Sequence, residues 1–214
     1  MASAPSAAGS ELRERIARNT GVTDVRILEA FQRVPRAAFL PAELHARAEE
    51  DTALPIGLGQ TISQPSMVAV MLTELDCAPQ HRVLEVGSGS GYVTALLAQL
   101  GCEVFGIERH LELLERSRET LRSLGINEPV LQEGDGSLGL PEHAPYDRIL
   151  VSAAAPAIPD ALLAELAEGG RLVMPVGSSE TQILVTCERD SKGTLHYRAG
   201  QGCVFVPLVS SAPG

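Results

Sequence analysis

Three glycines at two-residue spacing, preceded by an acidic residue, are the part of the sequence most suited to binding a ligand. Gly87, Gly89 and Gly91 lie in LEVGSGSGYVTALLAQL, and Glu85 stands two residues before the first of them. The segment before the turn predicts a buried strand, and the segment after it predicts an amphipathic helix. Glycine at such a junction permits a sharp turn and lets a ligand approach the backbone closely. A tight turn with a purely structural role is the alternative.

The spacing of these glycines separates two classes of nucleotide ligand. In the dinucleotide fingerprint the third glycine comes three residues after the second, so that a pyrophosphate can sit at the helix N-terminus. Here the spacing is two and two, and the carboxylate of Glu85 would repel a phosphate but attract a cation. S-adenosylmethionine carries a sulfonium and an ammonium group and no phosphate, so it is the cofactor we expect. A nicotinamide-dependent oxidoreductase is disfavoured on the same grounds.

Two further acidic residues follow the next two predicted strands. Glu108 ends the apolar strand EVFGIE and could accept hydrogen bonds from both hydroxyls of a ribose; an ordinary surface carboxylate is the alternative. Asp135, between Gly134 and Gly136, could accept one from the exocyclic amine of adenine; a plain Asp-Gly turn is the alternative. Open α/β sheets bind ligands at the carboxyl ends of their strands, so we expect these acids to meet at one site.

The elements that must position these residues alternate along the chain. Strands are predicted at RVLEVG, at EVFGIE, near residues 129–132, at YDRILVS and at RLVMPVG, with helices between most of them. This order predicts an α/β fold of Rossmann-like type, with a doubly wound, mostly parallel sheet. The segments TQILVTCERD and GCVFVPLVS predict antiparallel C-terminal strands that close the sheet.

The first 80 residues predict a helical cap on this sheet. We expect a helix from an N-cap at Ser10 to near Gly21, then short helices, including one at 42–48, and a loop, ALPIGLGQTISQP. Pro65 suits the first turn of the next helix, where its missing N–H loses no partner.

No linker divides the chain, which favours a single domain. We expect residues 1–9 to be a flexible N-terminus and residues 10–214 to form the domain. Within it, 10–80 would be the cap that carries the GQTIS loop and 81–214 the cofactor-binding sheet.

Composition excludes several classes of protein. Seventeen Lys and Arg against 27 Asp and Glu give a net charge of −10, which argues against nucleic-acid partners because phosphate contacts need clustered positive charge. The four cysteines share no short spacing and the five histidines are scattered, so no metal site is predicted. No apolar run reaches the roughly 18 residues of a membrane helix, and no signal pattern opens the chain. We expect a cytoplasmic monomer without a membrane partner.

Several segments resemble the protein-L-isoaspartate O-methyltransferases, a family of class I S-adenosylmethionine-dependent methyltransferases. They are VPRAAFLP, ALPIGLGQTISQP, EVGSGSGY, EGDGSLG, APYDRILVSAAAP and GGRLVMPVG, and the resemblance covers about residues 12–208. GQTISQP is the specific part, since the glycine turn alone indicates only the superfamily. The resemblance implies methyl transfer from S-adenosylmethionine to the free carboxylate of isoaspartyl residues in damaged proteins and peptides, which repairs them.

The resemblance also assigns roles to residues. Ser63 matches the active-site serine, whose hydroxyl would donate to the substrate carboxylate; capping of the helix at Pro65 is the alternative, and both can coexist. Thr61 is a second candidate for that contact, and the segments Ala153–Pro156 and VFVPL resemble elements that line the peptide groove. With the residues inferred above, the expected cofactor site comprises Gln60, Thr61, Ile62, Ser63, Glu85, Gly87, Ser88, Gly89, Ser90, Gly91, Glu108, Asp135 and Gly136.

Three positions depart from the family pattern and concern the substrate. Glu49 stands where an aromatic residue is usual, Cys203 where arginine is frequent and Val209 where threonine is common. We expect all three on the substrate side. One alternative is therefore an aspartate carboxyl methyltransferase with a dedicated peptide substrate, although such relatives usually carry an added C-terminal segment and this sequence ends at Gly214. The other is a non-catalytic module that only binds S-adenosylmethionine.

Overall fold

Helices and one small hairpin build the N-terminal part of the computed structural model, which describes residues 7–210. The helices are α1 (Ala7–Thr20), α2 (Val25–Arg33) and α3 (Pro65–Leu75). Two 3-10 helices (Arg36–Phe39 and Ala42–Arg47) follow α2, and an antiparallel hairpin of β1 (Leu54–Gly57) and β2 (Gln60–Ile62) precedes α3. The hairpin lies in the segment predicted to be a loop, and it ends one residue before Ser63.

The first helix begins earlier than the sequence predicted. It starts at Ala7, three residues before the expected N-cap Ser10. Alanine favours helix, and buried Leu12 and Ile16 anchor α1 on the rest of the protein, so the helix extends toward the N-terminus. Residues 1–6 of the segment predicted to be flexible lie outside the described residues, as do residues 211–214.

A seven-stranded sheet forms the centre of the protein. Its strands are β3 (Arg82–Val86), β4 (Glu103–Glu108), β5 (Val130–Glu133), β6 (Tyr146–Val151), β7 (Leu166–Gly177), β8 (Gln182–Arg189) and β9 (Leu195–Cys203). They lie in the order β5-β4-β3-β6-β7-β8-β9; strands β3 to β7 are parallel, and β8 is antiparallel to both of its neighbours. The predicted α/β fold, with antiparallel C-terminal strands, is confirmed.

Helices cover both faces of the sheet, and this explains the apolar runs in its strands. Val83, Val104 and Leu150 face a core shared with α1 to α3, α4 (Tyr92–Gln99) and α5 (Leu111–Ser123). Their neighbours Leu84, Phe105 and Ile149 face a second core with α6 (Asp160–Glu165). Strands buried on both faces are apolar at successive positions, as the sequence showed. Among the described residues, no helix is long and apolar enough to cross a membrane.

The order of the strands reverses beside β3. From β3 the chain proceeds outward through β4 and β5 on one side, and returns to β6 and β7 on the other. In sheets of this type a crevice opens at such a switch point, at the carboxyl ends of the strands. The glycine turn that follows β3 therefore lies at the mouth of the crevice.

The prediction of a last strand at GCVFVPLVS is wrong. Strand β9 ends at Cys203, and residues 204–209 leave the sheet and run beside Ala154. The N–H of Ala154 donates to the carbonyl oxygen of Val206 at 2.8 Å, and the N–H of Leu208 donates to that of Ala154 at 2.7 Å. Pro207 between them has no N–H to give to a sheet ladder, which favours a short bridge over a continuous strand.

We expect Tyr146→Phe to lower the free energy of unfolding by about 1 kcal/mol, because a buried hydrogen bond is lost while the carbonyl oxygen of Leu140 keeps the N–H of His143 as a donor at 3.2 Å. Tyr146 is fully buried, and its hydroxyl donates a 2.6 Å hydrogen bond to the carbonyl oxygen of Leu140, in the segment that follows Gly136. The matched control is Tyr197→Phe, at a side chain that is 58% exposed, with an expected change within about 0.5 kcal/mol. Equal losses for the two variants in denaturant unfolding would contradict the expectation.

Candidate active site

A cleft of about 810 Å³, counting space open to solvent, lies at the carboxyl ends of β3, β4 and β6. Its walls come from the end of the hairpin, the glycine turn, the residues after β4 and β6, and residues 206–209. Most of the predicted site residues line it, namely Gln60, Thr61, Ile62, Ser63, Glu85, Gly87, Ser88, Gly89, Ser90, Glu108 and Gly136. Residues 25 or more positions apart in sequence therefore meet at one crevice.

The glycine turn adopts a backbone that other residues rarely accept. Gly87, Gly89 and Gly91 have φ angles of +79°, +52° and +85°. The N–H of Gly87 donates to the carbonyl oxygen of Ile107 at 2.8 Å, which fastens the turn to β4. The left-handed conformation explains the glycines that the sequence places there.

Two predicted cofactor residues do not line the cleft. Gly91 precedes α4, and a Cβ added to it would lie 3.0 Å from the Cβ of Ser117, so it serves the close packing of α5. The Oδ1 of Asp135 accepts hydrogen bonds from the N–H and the hydroxyl of Ser137, at 2.9 and 2.7 Å. Asp135 thus caps a short 3-10 helix, which is the structural alternative given for it; an adenine contact stays a prediction.

Glu85 presents a buried carboxyl group to the cleft. The residue is 1% exposed, and Thr94 donates its hydroxyl to Oε2. Burial raises the pKa of Glu85 to about 8; the charge of Glu108 adds to this shift, and the hydrogen bond from Thr94 opposes it. In the free protein this group is therefore mostly neutral at pH 7, and a cation bound in the cleft would favour its ionised form.

Glu108 joins the end of β4 to the glycine turn. Its Oε2 accepts a hydrogen bond from the N–H of Gly89, and its Oε1 accepts one from the N–H of His110, both at 2.9 Å. The side chain is buried yet lines the cleft. Since each carboxylate oxygen can accept a second hydrogen bond, both can still receive a ligand's hydroxyls.

The hydroxyl of Ser88 is buried in the cleft wall and has no hydrogen-bond partner among residues 7–210. A buried polar atom without a partner is uncommon and indicates that a partner is missing. Together with two buried carboxyl groups and the volume of the cleft, it fits a polar, cationic ligand such as S-adenosylmethionine.

Ser63 follows β2 and lines the cleft, but it does not cap α3. That role belongs to Asp51, whose Oδ1 accepts from the N–H of Ser66 at 2.8 Å and whose Oδ2 accepts from its hydroxyl at 2.6 Å. The capping role considered for Ser63 is therefore wrong. Its carbonyl oxygen accepts from Arg36 at 3.2 Å, while its hydroxyl makes no hydrogen bond to the described residues.

The sequence missed several residues of the cleft wall. Arg109 and His110 line it directly after Glu108, although neither was among the predicted site residues. Their position after a predicted strand end was the signal that could have found them. Ser152 and Ala153, after β6, also line the cleft, as do residues 206–209; the peptide-groove assignment of AAAP and VFVPL stays a prediction.

Only one of the three departures from the family pattern lies on the cleft. Val209 lines it, whereas Glu49 and Cys203 do not. Burial raises the pKa of Glu49, and the nearby Arg36 opposes this shift, so Glu49 lies beside that buried cation. Cys203 is half-buried at the end of β9 and packs against the core. The expectation that these two lie on the substrate side stays a prediction.

We expect the free protein to lose stability relative to Glu85→Gln as the pH rises from about 5 to about 9. Because the folded-state pKa of Glu85 is raised to about 8, its stabilising effect is complete below its ordinary pKa and is lost as the pH passes through about 8. Glutamine does not titrate, so thermal unfolding of the two proteins across this range isolates the effect. A constant difference in melting temperature would refute it.

Comparisons with known sequences show which family this chain resembles. The sequence profile described as Protein-L-isoaspartate(D-aspartate) O-methyltransferase matches residues 8–212. A protein-L-isoaspartate O-methyltransferase from Aeropyrum pernix is 48% identical over 200 residues, which are 92% of this chain and 77% of that protein. Another, from Xanthomonas axonopodis pv. citri, is 49% identical over 193 residues, with coverages of 90% and 85%.

The fold agrees with a solved structure. It is described as a protein-L-isoaspartate O-methyltransferase (beta-aspartate methyltransferase) from Plasmodium falciparum in complex with S-adenosyl-L-homocysteine. This chain matches it with a TM-score of 0.81 and 26% identity over 94% of this chain and 98% of that one. The chain belongs to the protein-L-isoaspartate(D-aspartate) O-methyltransferase family.

Proposed function

We propose that this protein transfers a methyl group from S-adenosylmethionine to the free carboxylate of isoaspartyl residues in damaged proteins and peptides. The observation that carries the proposal is that the Ser63 hydroxyl, without a partner among the described residues, lines the same cleft as the buried carboxyl groups of Glu85 and Glu108. Membership of the family supports the isoaspartyl carboxylate as the acceptor.

The cofactor would be held by groups on the glycine turn and on the ends of β3 and β4. Glu85 would pair with a cationic group, Glu108 would accept hydrogen bonds from ribose hydroxyls, and Ser88 would use its unpartnered hydroxyl. When bound, S-adenosylmethionine supplies an activated methyl group on a positively charged sulfur. Gln60, Thr61 and Ile62 would cover it from the hairpin side.

The substrate requires orientation more than activation. A carboxyl group with a reference pKa of about 4 is already ionised at pH 7, so no general base has to remove a proton. The hydroxyl of Ser63 would donate a hydrogen bond to one carboxylate oxygen and so direct the carboxylate into the cleft. The hairpin and residues 206–209 wall the cleft and would exclude water from it.

We further propose a monomer that acts in the cytoplasm without nucleic-acid or membrane partners. The net charge of −10 supports the absence of a nucleic-acid partner. A single domain is supported by the core that α1 to α5 share with the sheet. Sedimentation of the purified protein across a concentration series tests whether the protein stays monomeric.

Methyl transfer to paired synthetic peptides tests the proposed function. One peptide carries isoaspartate and the other normal aspartate at the same position, and labelled methyl groups are counted as base-labile ester. We expect transfer to the isoaspartyl peptide alone. Transfer to neither peptide, with cofactor binding intact, would favour a dedicated peptide substrate or a non-catalytic module and would overturn the proposal.

We expect Ser63→Ala to bind S-adenosylmethionine like the wild type and to transfer methyl groups about 10- to 100-fold more slowly, because the substrate carboxylate loses an orienting donor. Calorimetry gives the affinity and the peptide assay gives the rate. Ser123→Ala is the control, since Ser123 is exposed at the end of α5 and its hydroxyl donates, within the described part of the chain, only to the carbonyl oxygen of Thr120. Equal rates for Ser63→Ala and the wild type would remove Ser63 from the mechanism.

We expect Gly89→Val to abolish cofactor binding, because a branched side chain at a φ of +52° distorts the turn and fills the cleft. Gly193→Val is the matched control. Gly193 has a φ of +81° in the turn between β8 and β9, and nothing lies near an added Cβ there. Calorimetry should detect binding in the control alone; normal binding by Gly89→Val would show that the site is misplaced.

A further inference from the structure

A buried arginine and an aspartate form hydrogen bonds with the backbone at Ser63 and at nearby Ser66, although neither lines the cleft. We propose that Arg36 and Asp51 are positioning residues that keep the Ser63 hydroxyl free for the substrate carboxylate. This inference rests on the proposed function, and it adds two residues outside the site to the reaction. The hydrogen bonds of the hairpin region support it.

The guanidinium of Arg36 holds two stretches of backbone together. Arg36 is 1% exposed, and its Nη1 donates to the carbonyl oxygens of Ala48 and Glu50 at 2.9 and 3.1 Å. Its Nη2 donates to the carbonyl oxygens of Thr52 and Ser63 at 2.8 and 3.2 Å. Arginine can do this because its planar group presents several donors at fixed angles. The backbone of Ser63 is thereby fixed to the 48–52 loop.

Asp51 lies in that loop, between the two carbonyl groups of Glu50 and Thr52 that Arg36 binds. Its carboxylate accepts the N–H and the hydroxyl of Ser66 in the first turn of α3, and the side-chain amide of Asn19 at 2.8 Å. The first N–H groups of any helix need acceptors from outside the helix. Arg36 thus fixes the loop, and the loop brings Asp51 to the start of α3.

Ser63 is the nearby residue that would otherwise fill this role. It stands three residues before Ser66, a spacing at which a serine hydroxyl can cap a helix, and the N-cap residue itself, Gln64, makes no capping hydrogen bond with its side chain. A hydroxyl turned back to the Ser66 N–H would point its oxygen at the helix and away from the cleft. By taking the cap, Asp51 leaves the Ser63 hydroxyl available to a ligand.

A double-mutant cycle between Asp51→Ala and Ser63→Ala tests the inference. We expect Asp51→Ala to lower kcat for the isoaspartyl peptide by about tenfold or more, with the calorimetric Kd for S-adenosylmethionine unchanged. In the Ser63→Ala background, Asp51→Ala should change kcat little, because it acts through the hydroxyl that is already absent. If the double variant instead lost kcat by the product of the two single-variant factors, as independent sites do, the inference would be overturned.

Arg36→Lys extends the test to the second residue, because a lysine has three donors on one atom and cannot reach four carbonyl oxygens in the same way. We expect kcat to fall as for Asp51→Ala. Arg33→Lys is the matched control and should leave kcat unchanged, since Arg33 is exposed on α2 and, among residues 7–210, forms an ion pair only with Glu29. If Arg36→Lys does not fold, the cycle between Asp51 and Ser63 still decides.

A crystal structure of Asp51→Ala provides a readout that needs no activity. We expect the Ser63 hydroxyl to lie within hydrogen-bond distance of the Ser66 N–H in that variant. An unchanged Ser63 side chain would overturn the inference even if the wild type is active. Conversely, a wild type that methylates no isoaspartyl peptide, combined with a reoriented Ser63 in the variant, would overturn the proposed function and retain the positioning role.

Discussion

The reversal of strand order beside β3 is the constraint on which the site depends. A sheet that grows outward from one strand in both directions leaves a crevice at the carboxyl ends of the strands beside that point, here β3, β4 and β6. The glycine turn forms one wall of it, and Glu108 fixes that turn to the next strand by accepting the N–H of Gly89. The buried carboxyl groups are tolerated there because Glu85 accepts a hydrogen bond from Thr94 and Glu108 accepts two from backbone N–H groups, and a cationic or hydrogen-bonding ligand would add further partners.

The N-terminal segment adds a further hydroxyl to the cleft, that of Ser63, which we propose meets the substrate. Its helices bury Arg36, and the four carbonyl oxygens around that guanidinium bring the 48–52 loop and Ser63 together. An acid from the loop then caps α3. In the proposed function the ends of β3 and β4 would offer carboxylates to a cation, whereas the residue after the hairpin would offer a hydroxyl to a carboxylate.

Local sequence predicted the parts of the site that local geometry determines. The positive φ angles of the glycine turn and the placement of Glu85 and Glu108 at strand ends follow from a strand–turn–helix pattern within about 25 residues. The contacts of Ser63 could not be read in this way. Arg36 lies 27 residues before it, and the acid that caps Ser66 lies 15 residues before that serine. At Asp135 the local sequence allows two interpretations. The carboxylate accepts the N–H of Ser137 in an Asx turn, whereas its position after β5 suggested a contact with a ligand.

A crystal structure of the protein with S-adenosyl-L-homocysteine and an isoaspartyl peptide would show whether Ser63 binds the substrate carboxylate. We expect the Ser63 Oγ to lie about 2.5–3.0 Å from an oxygen of the isoaspartyl carboxylate. We also expect Glu85 and Glu108 to contact the cofactor product in the same cleft. A peptide carboxylate held by other groups, with the Ser63 hydroxyl turned to the start of α3, would contradict the first expectation.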